Sequence, residues 1–332
     1  MMVAMTDIEQ LPLFDAPTEP KAAKGSAPTI HINPETSLSD AMGVYLDALR
    51  LGGFSDYTIK AFRSDLHLLE GWIKKETTIG SIGTSDLSRF LHWLLHERGV
   101  PCSPKSYARR VTALKNFFGY LHEMRFLPRN PSSALIQQSA GSPLHEALTP
   151  EEIEKALAIT RRMRSDPDKP NTRPHLLVTL LLDAGIKKSE TMALRPGDVD
   201  RTNPKAPLLW VRYTNPRMRY KERKISLDPE WPGILDEYMQ QRQPPREIFD
   251  CTARNLEYIL RDVAVAAGIP GKKLSFESLR WTSALTDYRN KMDSDKLRQK
   301  LGLSRIAWRE TSSKLSQLAK GSDSAGNEDD DA

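Results

Sequence analysis

Four stretches between residues 36 and 123 space their apolar residues three and four positions apart, and this repeat limits the fold more than any other feature. It matches the 3.6-residue period of an α-helix rather than the two-residue period of a strand. The second stretch carries the repeat at Ile59, Phe62, Leu66, Leu69 and Ile73. Residues that favour helix N-termini precede three of the stretches, namely Ser37, Thr84 and Ser103. The pattern predicts a small bundle of four amphipathic helices.

Length, charge and cysteine content narrow the class of protein. A chain of 332 residues is too long for one core of typical size and predicts about two domains with tails. The net charge is +5, although an acidic run at Glu328–Asp331 offsets a more basic body, and this balance is compatible with nucleic-acid binding. Cys102 and Cys251 lack metal or disulfide spacing, which predicts a reducing, cytoplasmic setting. No apolar run approaches the roughly 20 residues of a membrane span, so we expect a soluble protein without a membrane partner.

Shifts in composition suggest the domain boundaries. Residues 1–36 are rich in Pro, Ala, Thr and Gly without a sustained period, which predicts a disordered arm. The helical bundle follows at 37–130, and residues 131–147 have the Ser, Gly and Pro content of a linker. A second domain is predicted at 148–318, before an acidic, low-complexity tail at 319–332.

The second domain combines helices with a small sheet. Thr149 to Glu152 forms a capping box with proline at the first helical position. Residues 208–213 and 223–227 are apolar and β-branched and predict two strands joined by a basic turn. Further helices are predicted near 229–243, 252–267, 277–288, 293–300 and 304–318. The fold class is therefore mainly α, with a helical bundle and an α+β domain that holds a small antiparallel sheet.

The fourth helix of the bundle carries polar groups opposite its apolar face. Lys105, Arg109 and Arg110 supply cations, and Thr112 and Asn116 continue the surface. Phosphates attract such cations, and bases accept from such donors, so the face suits DNA. On the pattern alone, a solvated helix face explains the same residues equally well.

The stretch Gly185–Asp200 combines a helix end, a short helix and a turn. Gly185 can end the apolar helix before it, and Ser189 with Glu190 can open the next one. This order resembles the first catalytic box of the tyrosine recombinases, the phage-integrase and Xer-type enzymes. Residues 56–66 and 110–121, followed by Asn130-Pro131, resemble the core-binding domain of that family.

The resemblance extends over about residues 36–318 and implies a SAM-like core-binding bundle joined to a recombinase catalytic-type domain. Members of the family clamp duplex DNA and attack a phosphodiester with a tyrosine hydroxyl. Two arginines stabilise the phosphate charge, a hairpin lysine protonates the leaving oxygen, and histidines assist. The resemblance implies no metal or other cofactor.

Several reacting groups of the family are replaced in this chain. The first arginine corresponds to Lys187, which keeps the charge but cannot donate two parallel hydrogen bonds, so we expect transition-state stabilisation to fall while phosphate binding survives. Lys187 is also expected to form an ion pair with Glu190 at the helix end. The second arginine is retained as Arg280. The leaving-group lysine corresponds to Met218, with Lys221 close by in sequence.

The histidine and tyrosine positions differ as well. Glu277 and Leu303 replace two histidines, and a third corresponds to Trp281. A carboxylate at about 4 Å from a phosphate costs on the order of 1 to 4 kcal/mol. The nucleophile's position falls at Ser312, a weak nucleophile without an adjacent base other than Glu310. Tyr288 is the last tyrosine of the sequence and is a displaced alternative.

The basic turn between the strands suits DNA contact better than catalysis. Arg217, Arg219 and Arg223 are predicted to contact DNA, because an arginine is a good phosphate or minor-groove ligand but a poor proton donor. Lys221 adds to the basic charge of the turn and is expected to be a retained or semi-retained catalytic position, together with Lys187 and Arg280. An ordinary solvated turn remains the alternative.

We therefore expect a DNA-binding, recombinase-like protein that is catalytically inactive and acts in recombination or integration. It would serve as an accessory subunit or a site-occupying regulator, nucleoid-associated in the cytoplasm. The expected partners are double-stranded DNA and either another copy or an active recombinase, reached through the C-terminal helix. Two alternatives stay open: an active strand-transfer enzyme with relocated or trans-supplied groups, and a module that binds only protein.

Overall fold

The computed structural model describes residues 31–74, 76–136, 144 and 146–325, with side chains up to residue 320. The chain divides after Ser142 into two compact units. Unit 1 is helical, and unit 2 combines helices with a three-stranded antiparallel sheet. The predicted fold class is confirmed. None of the helices that the structure describes is long and apolar enough to cross a membrane.

Unit 1 contains the four predicted helices. Their bounds are α1 Leu38–Leu51, α2 Asp56–Ile73, α3 Thr84–His96 and α4 Pro104–Glu123. Serine hydroxyls cap three of them, because each Oγ accepts a main-chain N–H that the helix cannot satisfy. The cap of α4 is Ser103, whose Oγ lies 3.2 Å from the nitrogen of Ser106.

The core of unit 1 lies between the apolar faces of these helices. Tyr45 of α1 is fully buried, and its ring centroid lies 5.4 Å from that of Phe117 and 5.3 Å from that of Tyr120 on α4. Aromatic side chains contribute a large apolar area and fix the approach of the two helices.

The ordered part of unit 1 is longer than the sequence predicted at both ends. Ile32 is buried, and the main-chain nitrogen of Gly80 donates to the oxygen of Pro34 at 2.8 Å, so residues 31–36 are not a disordered arm. Residues 1–30 of that prediction lie outside the described residues. Ser132 and Leu135 are also buried, so the first part of the predicted linker packs on the bundle.

Unit 2 is built around one buried helix. The bounds of its first helices are α5 Pro150–Arg164, α6 Arg173–Ala184 and α7 Lys188–Ala193. The later ones are α8 Trp231–Arg242, α9 Ala253–Ala266, α10 Phe276–Arg289, α11 Ser294–Lys300 and α12 Arg305–Ala325. Eight residues of α6 are buried, so this helix forms the centre of the core. Helix α12 extends past the predicted end at 318 into the predicted acidic tail, and the acidic run itself lies outside the described residues.

The sheet has the order β1 Val199–Asp200, β2 Leu208–Val211 and β3 Arg223–Ser226, and all neighbours are antiparallel. Leu209 and Ile225 face each other in register and are buried in the core. The connection from β2 to β3 is not a tight turn, because it carries a 3₁₀ helix at Pro216–Lys221.

A separate apolar cluster holds the last three helices of unit 2. Trp281 and Leu285 of α10, Leu297 of α11 and Leu315 of α12 are buried together. This cluster fixes α11 and α12 next to the helix that carries Arg280.

Candidate functional site

The short helix α7 begins where α6 ends at a left-handed residue. Gly185 has φ +55°, a conformation in which a side chain is strained, and a Cβ there would lie 3.0 Å from the hydroxyl of Ser283. Glu190 is the third residue of α7, and its carboxylate accepts the main-chain N–H of Lys187 at 2.8 Å. This capping bond holds Lys187 at the helix N-terminus.

Glu190 forms a buried ion pair with Arg223 of β3. The two guanidinium nitrogens of Arg223 lie 3.0 and 2.9 Å from the two carboxylate oxygens, and the hydroxyl of Tyr213 also donates to Glu190. Burial alone would raise the pKa of Glu190, but the hydrogen bonds and charge of Arg223 outweigh it and lower the pKa to about 2. The predicted ion pair with Lys187 is corrected, because the carboxylate takes only the main-chain N–H of Lys187.

The remaining bonds of Arg223 go to main-chain carbonyls. Its Nε donates to the oxygen of Lys300 at 2.6 Å, and one terminal nitrogen also reaches the oxygen of Lys221 at 3.2 Å. The side chain is only 7% exposed. Arg223 therefore joins α7, the β2–β3 connection and the end of α11. The prediction that it contacts DNA is corrected, since its guanidinium is engaged inside unit 2.

Arg280 of α10 is held in the same manner. Its guanidinium donates to the main-chain oxygens of Gly185 and Leu301, the second at 2.6 Å. The residue is buried, and this burial lowers the pKa of the guanidinium, while nearby Glu190 raises it. Arg280 thus connects the end of α6 to the end of α11.

Lys187, Lys221, Arg223 and Arg280 form what we call the basic cluster. Burial lowers the pKa of Lys187, the charge of Glu190 raises it, and Arg280, Lys221 and Arg223 each lower it again. Of these four residues, Arg223 contacts the carboxylate of Glu190 through its side chain and Lys187 through its main-chain N–H. Lys187 and Arg280 also line one wall of a cleft of about 560 Å³.

A carboxylate lines the same cleft. Glu277 of α10 belongs to the cleft wall, and its Oε1 accepts the indole N–H of Trp281 at 2.9 Å. Its charge raises the pKa of Arg280, which places it within electrostatic range of the basic cluster. An anion bound beside Arg280 would therefore meet a fixed like charge.

The predicted DNA face of unit 1 contains an internal ion-pair group. Asp65 of α2 is buried, and Arg109 of α4 donates to its Oδ2, while the Nε of Arg110 lies 3.6 Å from its Oδ1. Arg110 is only 12% exposed on its side chain. The prediction of direct DNA contact is corrected for Arg110, which is turned inward to Asp65, while Lys105 is exposed and Asn116 half-buried.

Comparisons with known proteins agree on one family. Residues 44–124 match the family model described as "Phage integrase, N-terminal SAM-like domain". Tyrosine recombinase XerC of Xanthomonas campestris pv. campestris is 29% identical over 184 residues, which is 54% of either chain. XerC of Caldanaerobacter subterraneus subsp. tengcongensis is 26% identical over 290 residues, or 76% of either chain. The chain thus spans about half the length of the Xanthomonas relative.

Solved structures resemble the fold. XerH site-specific recombinase bound to a palindromic difH substrate has a TM-score of 0.64 at 18% identity, covering 89% of this chain and 85% of that one. The Tn1549 transposon integrase in complex with transposon right end DNA has a TM-score of 0.61 at 17% identity, covering 84% and 99%. The family model, the curated relatives and the solved structures together make the chain similar to tyrosine recombinases and integrases.

The residues predicted to correspond to the family's other reacting groups have local contacts in the structure. Met218 lies in the 3₁₀ helix, and the ammonium of Lys221 is 3.9 Å from its sulfur. Leu303 packs against the cluster of Trp281. Ser312 is half-buried in α12, and its hydroxyl donates to the oxygen of Arg309 at 3.1 Å. Tyr288 packs on the same apolar cluster as Leu303.

Arg217 and Arg219 of the β2–β3 connection are exposed, while Lys221 is half-buried and its ammonium lies 5.2 Å from the ring centroid of Tyr220. The assignment of the two arginines to DNA contact stays a prediction. Within the part of the chain that the structure describes, no group of three or more His, Cys, Asp or Glu side chains is arranged to hold a metal ion.

Two contacts of the candidate site were not predicted from the sequence. Tyr213 was treated as a strand residue, yet the structure places its hydroxyl on Glu190. Arg223 was assigned to the surface, yet it is separated by two from the buried Ile225 and so lies on the inward face of β3. Strand alternation is the signal that could have found Arg223.

Proposed function

We propose that this protein, which is similar to tyrosine recombinases, binds duplex DNA at a recombination or integration site and does not form the phosphotyrosyl link itself. It acts as an accessory subunit of an active recombinase or as a regulator that occupies the site. The fold supports DNA binding, since XerH and the Tn1549 integrase have the same fold and were solved with DNA. The replacement of the reacting groups supports the second part of the proposal, that the protein does not cleave DNA through a phosphotyrosyl link.

The charge of the cleft beside Arg280 is the observation that carries the proposal. Arg280 uses two of its N–H groups on the oxygens of Gly185 and Leu301. The carboxylate of Glu277 lines the same cleft, so a phosphate held by the remaining donors would meet a like charge. Lys187 keeps a positive charge in the cleft, but its ammonium cannot donate two parallel hydrogen bonds to a phosphate as a guanidinium does. Such a site attracts a phosphate without the stabilisation that cleavage needs.

The surface cations supply the DNA contacts in this proposal. Lys105 of unit 1 and Arg219 of unit 2 are exposed, and each is assigned to phosphate or groove contact. Arg109 is 41% exposed but already paired with Asp65, so its contribution is smaller.

The experiment is selection from a pool of random DNA duplexes, with complexes run on gels before and after SDS treatment. We expect an enriched motif in complexes that SDS dissolves. Arg219→Ala and Lys105→Ala should each weaken binding and lower the salt slope by about 1. Arg161→Ala is the matched control, because this exposed arginine is already paired with Glu154 at 2.8 Å. Absence of DNA binding would overturn the proposal and favour a protein-binding module.

One observation favours the second candidate, an active strand-transfer enzyme with relocated groups. Tyr213 lies beside Glu190 and within electrostatic range of Arg280, so a tyrosine is present at the basic cluster. Burial and the bond to Glu190 raise its pKa to about 12, which opposes its activation as a nucleophile. An SDS-resistant adduct that Tyr213→Phe abolishes and Tyr288→Phe retains would establish this candidate.

Helix α12 is the proposed element of association with another copy or an active recombinase. Leu315 anchors the helix in its own unit, whereas Ile306 near its start is 83% exposed. Ile306→Asp should weaken assembly on DNA without unfolding the protein, which sedimentation of the complexes can measure.

A further inference from the structure

Two histidines on α3 play no part in the proposed function. His92 and His96 are four residues apart, so they lie one above the other on the same helix face. Both are exposed, and their ring centroids are 4.6 Å apart with the planes inclined at 44°. The pair therefore presents two imidazoles to solvent at one point of unit 1.

The separation of the rings fits two imidazoles on one ion. Metal–nitrogen distances of about 2.0–2.1 Å place the centroids of two neighbouring ligand rings about 4.5–5 Å apart. Histidines four apart on a helix are a known arrangement for a zinc ion. The spacing of the two rings is therefore compatible with a shared ion.

A carboxylate orients one of the two rings. The Oε1 of Glu97 lies 3.0 Å from the Nδ1 of His92. A neutral His92 must carry its proton on Nδ1 to make this bond, which leaves the Nε2 lone pair available for a metal. Metal-binding histidines commonly donate their other N–H to a carboxylate in this manner. Glu97 itself is fixed by its place at the C-terminal end of α3, where its main-chain nitrogen donates to Trp93 at 3.0 Å.

We propose that His92 and His96 bind one divalent transition-metal ion, with water in the remaining coordination positions. Imidazole nitrogen selects copper, nickel and zinc over magnesium and calcium, and affinity should follow the order Cu²⁺ above Ni²⁺, with Zn²⁺ below Cu²⁺. Two protein ligands make a weaker site than the closed four-ligand sites of structural zinc. The ion would add a rigid link between successive turns of α3.

The test is calorimetric titration of the full chain with Ni²⁺. We expect one ion per chain and affinity at least tenfold weaker in His92→Ala and in His96→Ala. His67→Ala is the matched control, because this exposed histidine also has a carboxylate on its Nδ1, that of Glu70 at 2.8 Å, but no histidine one turn away. Its removal should leave the affinity unchanged.

Two results would overturn the proposal. One is wild-type affinity in His96→Ala, or an equal loss in His67→Ala. The other is a dimer at saturating Ni²⁺ by sedimentation, since this would assign the ion to a site between two copies. The substituted side chains are on the surface, so circular dichroism should confirm that the variants keep the helical content.

Discussion

Asp65 in unit 1 and Glu190 in unit 2 are both buried carboxylates that face arginines, yet their ionisation is shifted in opposite directions. Their side chains are 2% and 1% exposed. Burial raises the pKa of Asp65, and the charges of Arg109 and Arg110 offset only part of that effect. The pKa of Glu190 is about 2, although burial acts on it in the same direction.

Hydrogen bonds explain the difference. Glu190 accepts from two nitrogens of Arg223, from the hydroxyl of Tyr213 and from the main-chain N–H of Lys187. Asp65 accepts from Arg109 on one oxygen, while among the described residues its other oxygen has only the Nε of Arg110 near it, at 3.6 Å and beyond hydrogen-bond distance. A nearby cation that makes no well-directed hydrogen bond offsets little of the free energy that desolvation of a buried carboxylate costs. The cluster of unit 2 is therefore the stronger of the two structural ion pairs.

The largest expected effect is that of Glu190→Gln. A pKa of about 2 against an ordinary 4.5 corresponds to roughly 3 kcal/mol of stabilisation by the ionised form. Urea unfolding at pH 7 should show that the variant's free energy of unfolding is lower than that of the wild type by this amount. Glu154→Gln is the control, because Glu154 is exposed and its pair with Arg161 is on the surface. An equal loss in both variants would disprove the special role of Glu190.

Acid titration of stability is the next test. The folded pKa of Glu190 is depressed, so its contribution is complete above the unfolded pKa near 4.5 and is lost as the pH falls towards about 2. The stability difference between the wild type and Glu190→Gln should shrink by about 2 kcal/mol between pH 4.5 and pH 3. A difference that stays constant over this range would mean that the charge of Glu190 does not stabilise the fold.

Asp65→Asn should lower the free energy of unfolding by less than Glu190→Gln does, on the order of 1–2 kcal/mol. The variant loses the bond from Arg109 and leaves Arg110 without a counter-charge, but it also removes a buried carboxylate whose raised pKa marks it as poorly stabilised. Because that pKa is raised, the penalty from Asp65 is present above its unfolded pKa and disappears in acid. A cost equal to that of Glu190→Gln in urea unfolding would contradict the hydrogen-bond argument.

The sequence predicted the features that depend on neighbours along the chain. The cap of α5 at Thr149 and the left-handed end of α6 at Gly185 follow from local residue preferences and are confirmed. The pairs of Glu190 with Arg223 and of Asp65 with Arg109 were missed, because 33 and 44 residues separate the partners. Such contacts depend on how helices and strands pack, and a basic residue in a turn looks exposed until that packing is known.

Tyr213→Phe is the smallest change and separates hydrogen bonding from charge within the basic cluster. It removes one donor to Glu190 and keeps Arg223 in place, so it should cost about 1 kcal/mol in urea unfolding. With one donor fewer, the folded-state pKa of Glu190 should rise, so the acid loss of stability should be smaller and should end at a higher pH than in the wild type. Tyr220→Phe is the control, because Tyr220 is 70% exposed. If Tyr213→Phe leaves the acid profile unchanged, Arg223 and the main-chain N–H of Lys187 set the ionisation of Glu190 without the tyrosine. The contrast with Asp65 then depends on the two hydrogen bonds from one arginine rather than on the number of donors.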